Sequence, residues 1–246
     1  MRKGALPYLL FFAFTCTLLL QACKNDSYLL DPPPIKDQSF VEEFDTMQQA
    51  YNRGWRWINR SVPIGVTNWM AAPGPDGFME AYSSRGTNTG AAFSDYQATS
   101  GTDDGVISNW LVSPAVVLQN DDKIVFYTKT QLTSTSGTGR DFGCRLQVCL
   151  NKQDADLSMG NGNDPGKFNT VLLDINPDEE EYLVGDPSTH TQAYPGNWTR
   201  FEATISGLAA PVKGRFAFRY FLHDAGSNGA GNGVGIDSVA YISHKH

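Results

Sequence analysis

Beyond residue 38 the chain is a succession of short runs rich in Val, Ile, Thr, Phe, Tyr and Trp, punctuated by clusters of Gly, Asn, Asp, Ser and Thr. No stretch holds a helical period for more than about a dozen residues, whereas period-two alternation recurs from end to end. The pattern predicts strands near residues 38–44, 54–60, 65–71, 78–83, 107–118, 123–130, 142–150, 169–174, 193–205, 213–223 and 234–243. Two of the clusters between them, Thr133-Ser-Thr-Ser-Gly-Thr-Gly139 and Met159-Gly-Asn-Gly-Asn-Asp-Pro-Gly166, read as loops. Many short strands so punctuated predict an all-β sandwich or barrel. The runs 107–118 and 123–130, separated by Gln-Asn-Asp-Asp, read as paired or neighbouring strands. Pro114 marks an edge or bulge because it cannot donate to a ladder.

Alternation is clearest in Gly214-Arg-Phe-Ala-Phe-Arg-Tyr-Phe-Leu-His223. Phe216, Phe218, Tyr220 and Leu222 share one face, which predicts core. Arg215, Ala217, Arg219 and Phe221 share the other, which predicts an exposed, shaped surface. Trp110 and Leu111, beside Val112 and Val116, are expected in or next to the core.

The first 22 residues carry a different pattern. Arg2 and Lys3 precede a largely apolar run from Leu9 to Leu20, too short to span a bilayer, and a small-residue junction follows at Gln21-Ala22-Cys23. This is a targeting segment. Leu20-Gln-Ala-Cys23 resembles the lipobox of bacterial lipoproteins, which implies cleavage before Cys23 and acylation of its thiol and amine. The mature protein would then be fixed to a membrane without spanning it. Residues 23–37 end in a proline run, Pro32-Pro-Pro34, that favours an extended tether. Lys24-Asn-Asp-Ser27 resembles the surface-export tags of Bacteroidetes lipoproteins. Outer-membrane anchoring with the domain at the cell surface is expected, the periplasmic face remaining open.

The 246 residues carry 19 Lys plus Arg against 26 Asp plus Glu, a formal charge of −7 that becomes −9 once Arg2 and Lys3 are removed. An acidic chain is no partner for nucleic acid, and it lacks the basic patch that binds anionic lipid. Residues 38–246 contain no linker-like stretch and read as one domain. Of the four cysteines, Cys16 leaves with the leader and Cys23 is the lipid site. Cys144 and Cys149 fall on one strand, pointing to opposite faces and roughly 17 Å apart, out of disulfide reach. Both read as free thiols, Cys144 buried beside Leu146 and Val148. The histidines, His190, His223, His244 and His246, show no spacing with them that would hold zinc.

Three separated pieces carry a family resemblance: Glu42-Glu-Phe-Asp45 with Gly54-Trp55, then Asn109-Trp-Leu-Val-Ser-Pro114, then Gly235-Ile-Asp-Ser-Val239 preceded by Asn197-Trp198. In order and separation they resemble the choice-of-anchor J domains of bacterial surface proteins, relatives of the cleaved adhesin domains. The chain departs from that pattern at Ser238 and in lacking a proline before Gly54. The resemblance implies a jelly-roll β-sandwich, carbohydrate binding, and a structural Ca²⁺ where the first and last strands meet.

The local residues suit such an ion. Glu42 shares a face with Phe40 and Phe44, so its carboxylate would be buried and needs a partner, or a bulge must turn it to solvent. Ca²⁺ held by Glu42 and Asp237 would supply that partner. Asp45 and Asp104 are further candidate ligands. Candidate contacts for a glycan are Trp57, Tyr96, Arg215, Arg219 and Phe221, since sugar rings stack on aromatic faces while guanidinium groups satisfy hydroxyls.

Other motifs are set aside on chemistry. Gly226-Ser-Asn-Gly-Ala-Gly-Asn-Gly-Val-Gly235 lacks phosphate-loop spacing and a following helix, and reads as a mobile loop. Asn232-Gly-Val-Gly-Ile-Asp-Ser-Val-Ala240 is a single near-copy of a calcium nonapeptide that works only in tandem. Glu43-Phe-Asp-Thr-Met-Gln48 resembles the E-x-D-x-x-E motif of jelly-roll glycoside hydrolases, but Gln48 stands where the second carboxyl must transfer a proton. The chain therefore reads as a lipid-anchored, non-catalytic binding domain for glycan, glycoprotein or another extracellular macromolecule. Two other readings stay open: an assembly subunit of a surface complex, and a glycoside hydrolase.

Overall fold

The β-branched and aromatic runs form fifteen strands among the described residues of the protein, for which a computed structural model covers 34–72, 79–82, 90–135, 138–184 and 193–244. The leader 1–22, Cys23, the tether up to residue 33, His190 and His246 lie outside the described residues. The strands are β1 (Phe40–Glu42), β2 (Arg56–Asn59), β3 (Met70–Ala71), β4 (Ala92–Asp95), β5 (Gly105–Val112), β6 (Val116–Leu118), β7 (Lys123–Thr130), β8 (Thr133–Thr135), β9 (Thr138–Asp141), β10 (Leu146–Asn151), β11 (Thr170–Ile175), β12 (Tyr182–Leu183), β13 (Thr199–Thr204), β14 (Val212–Ala225) and β15 (Gly233–Ile242). One helix, α1 (Met47–Asn52), starts where Thr46 accepts the Gln49 N–H at 3.2 Å. A 3-10 turn spans Tyr96–Ala98.

The strands build an antiparallel β-sandwich of the jelly-roll class, contained in Asp37–Lys245. One sheet runs β13-β7-β15-β4-β3, with β1 also on β15. The other runs β11-β10-β14-β5-β2, with β6 also on β14. A small third sheet, β12-β9-β8, takes in Thr133–Thr135 and Thr138–Asp141, where the sequence predicts a loop. The expected strand at 65–71 shrinks to β3; of the expected strand at 78–83 only 79–82 are described, and there Met79 is a single bridge residue.

The runs 107–118 and 123–130 are not partners. β5 and β6 belong to one sheet and β7 to the other, so the polar cluster between them carries the chain across the sandwich. Asp122 fixes that crossing: its buried carboxylate accepts from Gln119 N and His244 N, each at 2.7 Å, and from the Tyr241 hydroxyl. Pro114 separates β5 from β6, as its missing N–H requires.

Between the sheets, Phe216, Phe218, Tyr220 and Leu222 of β14 meet Phe126 of β7 and Val234, Ile236, Val239 and Tyr241 of β15. Phe126 and Phe218 pack edge to face at 4.8 Å, and Trp55 fits between Phe44 at 5.0 Å and Phe216 at 5.8 Å. Each such ring contributes on the order of 2–3 kcal/mol by burial. Cys144 lies in this core and Cys149 outside it, on the opposite face, both as free buried thiols.

The opposite face of β14 is covered rather than exposed. The 152–169 segment folds over it, and Met159 and Phe168 pack with Trp110, Val112, Cys149 and Ala217 into a second apolar cluster. Arg219, expected at the surface, is 3% exposed. Its guanidinium lies between the rings of Phe221 (3.7 Å) and Trp110 (4.7 Å). It donates to Gly162 O at 2.5 Å, Ser108 Oγ at 3.0 Å and Gln147 Oε1 at 3.3 Å. Burial pushes its pKa down to about 10. Phe221, 7% exposed, is likewise buried. A buried guanidinium needs acceptors, and the glycine-rich 159–166 loop supplies one of the three, Gly162 O.

Candidate functional site

At the end of the sandwich where β14 turns into β15, a cleft of about 630 Å³ opens between β3, β4, the 3-10 turn and the Gly226–Asn232 loop. That size suits a small ligand or a few linked rings. Phe93, Tyr96, Phe142 and Met70 give it apolar walls, and Gln97, Gln131, Asn228 and Asp95 give it polar ones.

Asn232 ties the walls together. Its buried amide donates to Gln131 O at 2.8 Å and to Arg140 O at 2.7 Å, while its carbonyl accepts from Phe142 N at 2.7 Å. Its backbone carbonyl accepts from Tyr96 N at 3.0 Å. One side chain and one peptide thus fix the residues before β8, after β9 and after β4. The glycine-rich loop is packed, too: a Cβ on Gly226 (φ +142°) would stand 2.1 Å from Gly101 O, and Asn228 N donates to Thr102 O at 2.7 Å.

Asp95 closes β4 and caps the 3-10 turn. Its Oδ1 accepts from Thr67 Oγ1 at 2.7 Å and from Gln97 N at 3.1 Å. Burial pushes its pKa above the usual carboxylate range, and these hydrogen bonds pull the other way. Beside the cleft, Val62, Ile64 and Val66 form an apolar rim, 48%, 63% and 88% exposed. Val66 N donates to Gln97 O at 3.0 Å, which joins the rim to the cleft wall.

Of the five candidate ligand contacts, Tyr96 alone lines the cleft. Trp57 packs edge to face on Tyr51 of α1 at 5.7 Å, with Arg56 over the same tyrosine at 4.0 Å. Arg215 donates to Ala155 O at 2.8 Å and Ser113 O at 2.6 Å, holding the covering segment. Arg219 and Phe221 are interior. Phe93, Phe142, Gln97, Gln131 and Asn228 were missed, because they come from separate strands and loops that only the sandwich brings together.

The four candidate metal ligands are not gathered at one point. Glu42 is buried, 1% exposed, and its carboxylate is paired with Arg53: Nη2 to Oε1 at 2.5 Å and Nε to Oε2 at 2.8 Å. Phe44 N also donates to Oε1, at 3.1 Å. A guanidinium thus occupies the place assigned to a cation, and no bulge turns Glu42 to solvent. Asp237 is buried on β15, accepting from Ser238 N at 2.7 Å and Tyr82 N at 2.8 Å. Glu43 meets the neighbouring residue, its Oε2 accepting from Ser238 Oγ at 2.5 Å. Asp45 is exposed beside Gly90, and Asp104 is exposed in the turn before β5. Among the described residues no group of three or more His, Cys, Asp or Glu is arranged to hold a metal. Phe44 and Ser238 both have positive φ, 50° and 49°, so the backbone is bent on each side of the Glu43–Ser238 contact.

No protein-family model matches this chain, and no curated protein matches it in sequence. Solved structures do. The K1 cleaved adhesin domain of Lys-gingipain from Porphyromonas gingivalis W83 superposes with a TM-score of 0.51 at 16% identity, over 84% of this chain and 99% of that domain. The K3 domain of the same protein gives 0.49 at 16% identity over 85% and 100%, and the K2 domain 0.48 at 15% over 83% and 99%. The K1 match shows a shared fold: this chain is built on the β-sandwich plan of a cleaved adhesin domain.

Proposed function

We propose that the chain is a lipid-anchored surface protein whose β-sandwich binds a glycan, without catalysis, in the cleft at the β14–β15 turn. The observation that carries this reading is the cleft lining. Tyr96 and Phe142, both partly exposed, offer ring surface to the apolar C–H face of a pyranose and are backed by the buried Phe93, while Gln97, Gln131 and Asn228 offer amides to its hydroxyls. Asp95 is the one carboxylate among the described lining residues, whereas glycoside hydrolysis works through a pair. Glu43 and Asp45, the residues of the hydrolase-like motif, do not line the cleft.

The position of the cleft supports display. Residue 38 joins the sandwich beside Val117 and residue 39 beside Ser243, at the far end of β15 from Asn232. Ten residues of strand put roughly 30 Å between the two ends. A chain anchored at Cys23 would hold its cleft away from the membrane. Ca²⁺ at the β1–β15 seam also belongs to this reading, with Asp237 and Glu43 as ligands and Glu42 released to Arg53. There the ion would hold carboxylate and carbonyl oxygens and so brace the two strands.

The test is affinity electrophoresis of the purified protein through gels containing neutral polysaccharides. At least one should retard it, and Tyr96→Ala should weaken that retardation at least tenfold with the melting temperature unchanged. No retardation by any gel, or full retention of it in Tyr96→Ala, would reject the cleft as a glycan site. Anchoring is tested separately: Cys23→Ser should leave the membrane fraction, and a variant that still pellets like wild type refutes the lipid.

A further inference from the structure

We infer that Asp95 sets the ligand class of the cleft: its carboxylate takes hydroxyl hydrogens of an uncharged pyranose and turns away sugars that carry a carboxylate, the uronates. The inference rests on the cleft being a glycan site and goes on to say which glycans enter it.

Among the described residues that line the cleft there is no Lys, Arg or His, and Asp95 is the single fixed charge. Its two partners from other residues, Thr67 and Gln97 N, are neutral, and both end on Oδ1. An ionised carboxylate has about four lone-pair sites, so these two bonds leave it further accepting capacity. Arg140 lies over the Phe142 ring at 4.3 Å and pairs with Glu181; it is not among the lining residues. Burial already disfavours the charge on Asp95, in accord with a carboxylate that no cation neutralises.

Two consequences follow from this arrangement. A neutral pyranose can donate a hydroxyl to this carboxylate, forming the stronger, charge-assisted kind of hydrogen bond. A uronate brings a second negative charge into the same confined space. Like charges about 4 Å apart at the effective dielectric near a protein surface cost about three powers of ten in affinity before salt screening. The chain's net charge of −7 adds a field of the same sign.

The experiment uses matched polymers that differ only at C6: polymannuronate, polygalacturonate and polyglucuronate, each against the neutral polymer made by reducing its carboxyl groups. The full chain, purified in mild detergent, is run through gels containing each at fixed ionic strength. Wild type should be retarded by at least one neutral polymer and at least tenfold less by its acidic partner. Asp95→Asn keeps the turn cap, since Asn is as good an N-cap residue. It should bind the neutral polymer several-fold more weakly and lose the discrimination. Gln97→Lys, at an exposed position on the same wall, should gain affinity for the acidic partner. Wild type binding an acidic polymer as strongly as its neutral partner overturns the inference and leaves the glycan site standing. Preference and affinity both unchanged in Asp95→Asn overturn it too. Retardation by none of the six polymers rejects the glycan reading, and this inference with it.

Discussion

Removing Arg53 should destabilise the protein more than removing the charge it neutralises, and the two changes together should cost less than Arg53 alone. Glu42 is buried and Arg53 is 49% exposed, joined by two hydrogen bonds. At about 3 Å and an effective dielectric of about 20 the attraction is ~5 kcal/mol. Because half the guanidinium is in water, screening reduces the recoverable part to roughly 2–3 kcal/mol. Arg53→Met forfeits that and strands a buried carboxylate whose remaining donor is Phe44 N. For a domain of this size the melting temperature should fall by about 6–9 °C. Glu42→Gln keeps an acceptor for Phe44 N and should cost only ~1 kcal/mol. The double variant should then be more stable than Arg53→Met by about 1 kcal/mol, since no charge is left without a partner. Urea unfolding of the four proteins, with m-values unchanged, gives the cycle directly. If Arg53→Met melts within about 1 °C of wild type, or if the double variant is less stable than Arg53→Met, the ion pair is not what holds Glu42 inside.

Three further outcomes are expected. Asp141 is fully buried, its Oδ2 has no hydrogen-bond partner, and burial pushes its pKa from 3.8 up to about 6. Between these values the folded state holds the proton more tightly than the unfolded chain, so stability falls as pH rises from 4 to 6, by up to ~3 kcal/mol. The difference between wild type and Asp141→Asn, followed by melting from pH 4 to pH 7, should therefore move in favour of Asn as pH rises; a constant difference would refute it. If Ca²⁺ braces the seam, chelation should lower the melting temperature and Ca²⁺ restore it, the ion adding about 2.7 kcal/mol at a hundred times its Kd. Asp237→Asn and Glu43→Gln should each remove most of that response and Glu42→Gln little of it; metal-free protein that melts alike with and without Ca²⁺ excludes the ion. Burial raises the pKa of both thiols, Cys149 to about 12. In a chain lacking Cys16 and Cys23, Ellman's reagent should react with Cys144 and Cys149 only at the rate of unfolding.

The sequence spoke most clearly where one strand had to answer to one core. Phe216, Phe218, Tyr220 and Leu222 alternate because a sandwich interior accepts every second side chain, and the structure buries all four. The same strand misled on its other face. The cover for that face comes from Leu157, Met159 and Phe168, scattered among aspartates and glycines with no period to announce them. Burial of Glu42 was legible from its neighbours Phe40 and Phe44. Its partner was not, because Arg53 lies eleven residues on, brought back by a helix of six residues too short to show a period. Tyr96 was the one cleft residue recognised by type. Phe93, Phe142 and Asn228 acquire a common purpose only when three connections meet at one end of the sandwich, which no local pattern encodes.

The opposed positions of residue 38 and the cleft also set how the protein would carry a mechanical load. β1 runs from Phe40, beside Tyr241, to Glu42, beside Val239, pointing toward the cleft. Tension between something gripping the chain upstream and a ligand held at Asn232 would therefore draw β1 along its own axis. Its ladder to β15, the two bonds between the Gln38 amide and Val117, the Ser39 to Ser243 bond and the Arg53–Glu42 pair would all be strained together rather than broken one after another. A three-residue strand is weak against peeling, but pulled in shear it yields only when all its fastenings fail at once, the geometry that resists flow.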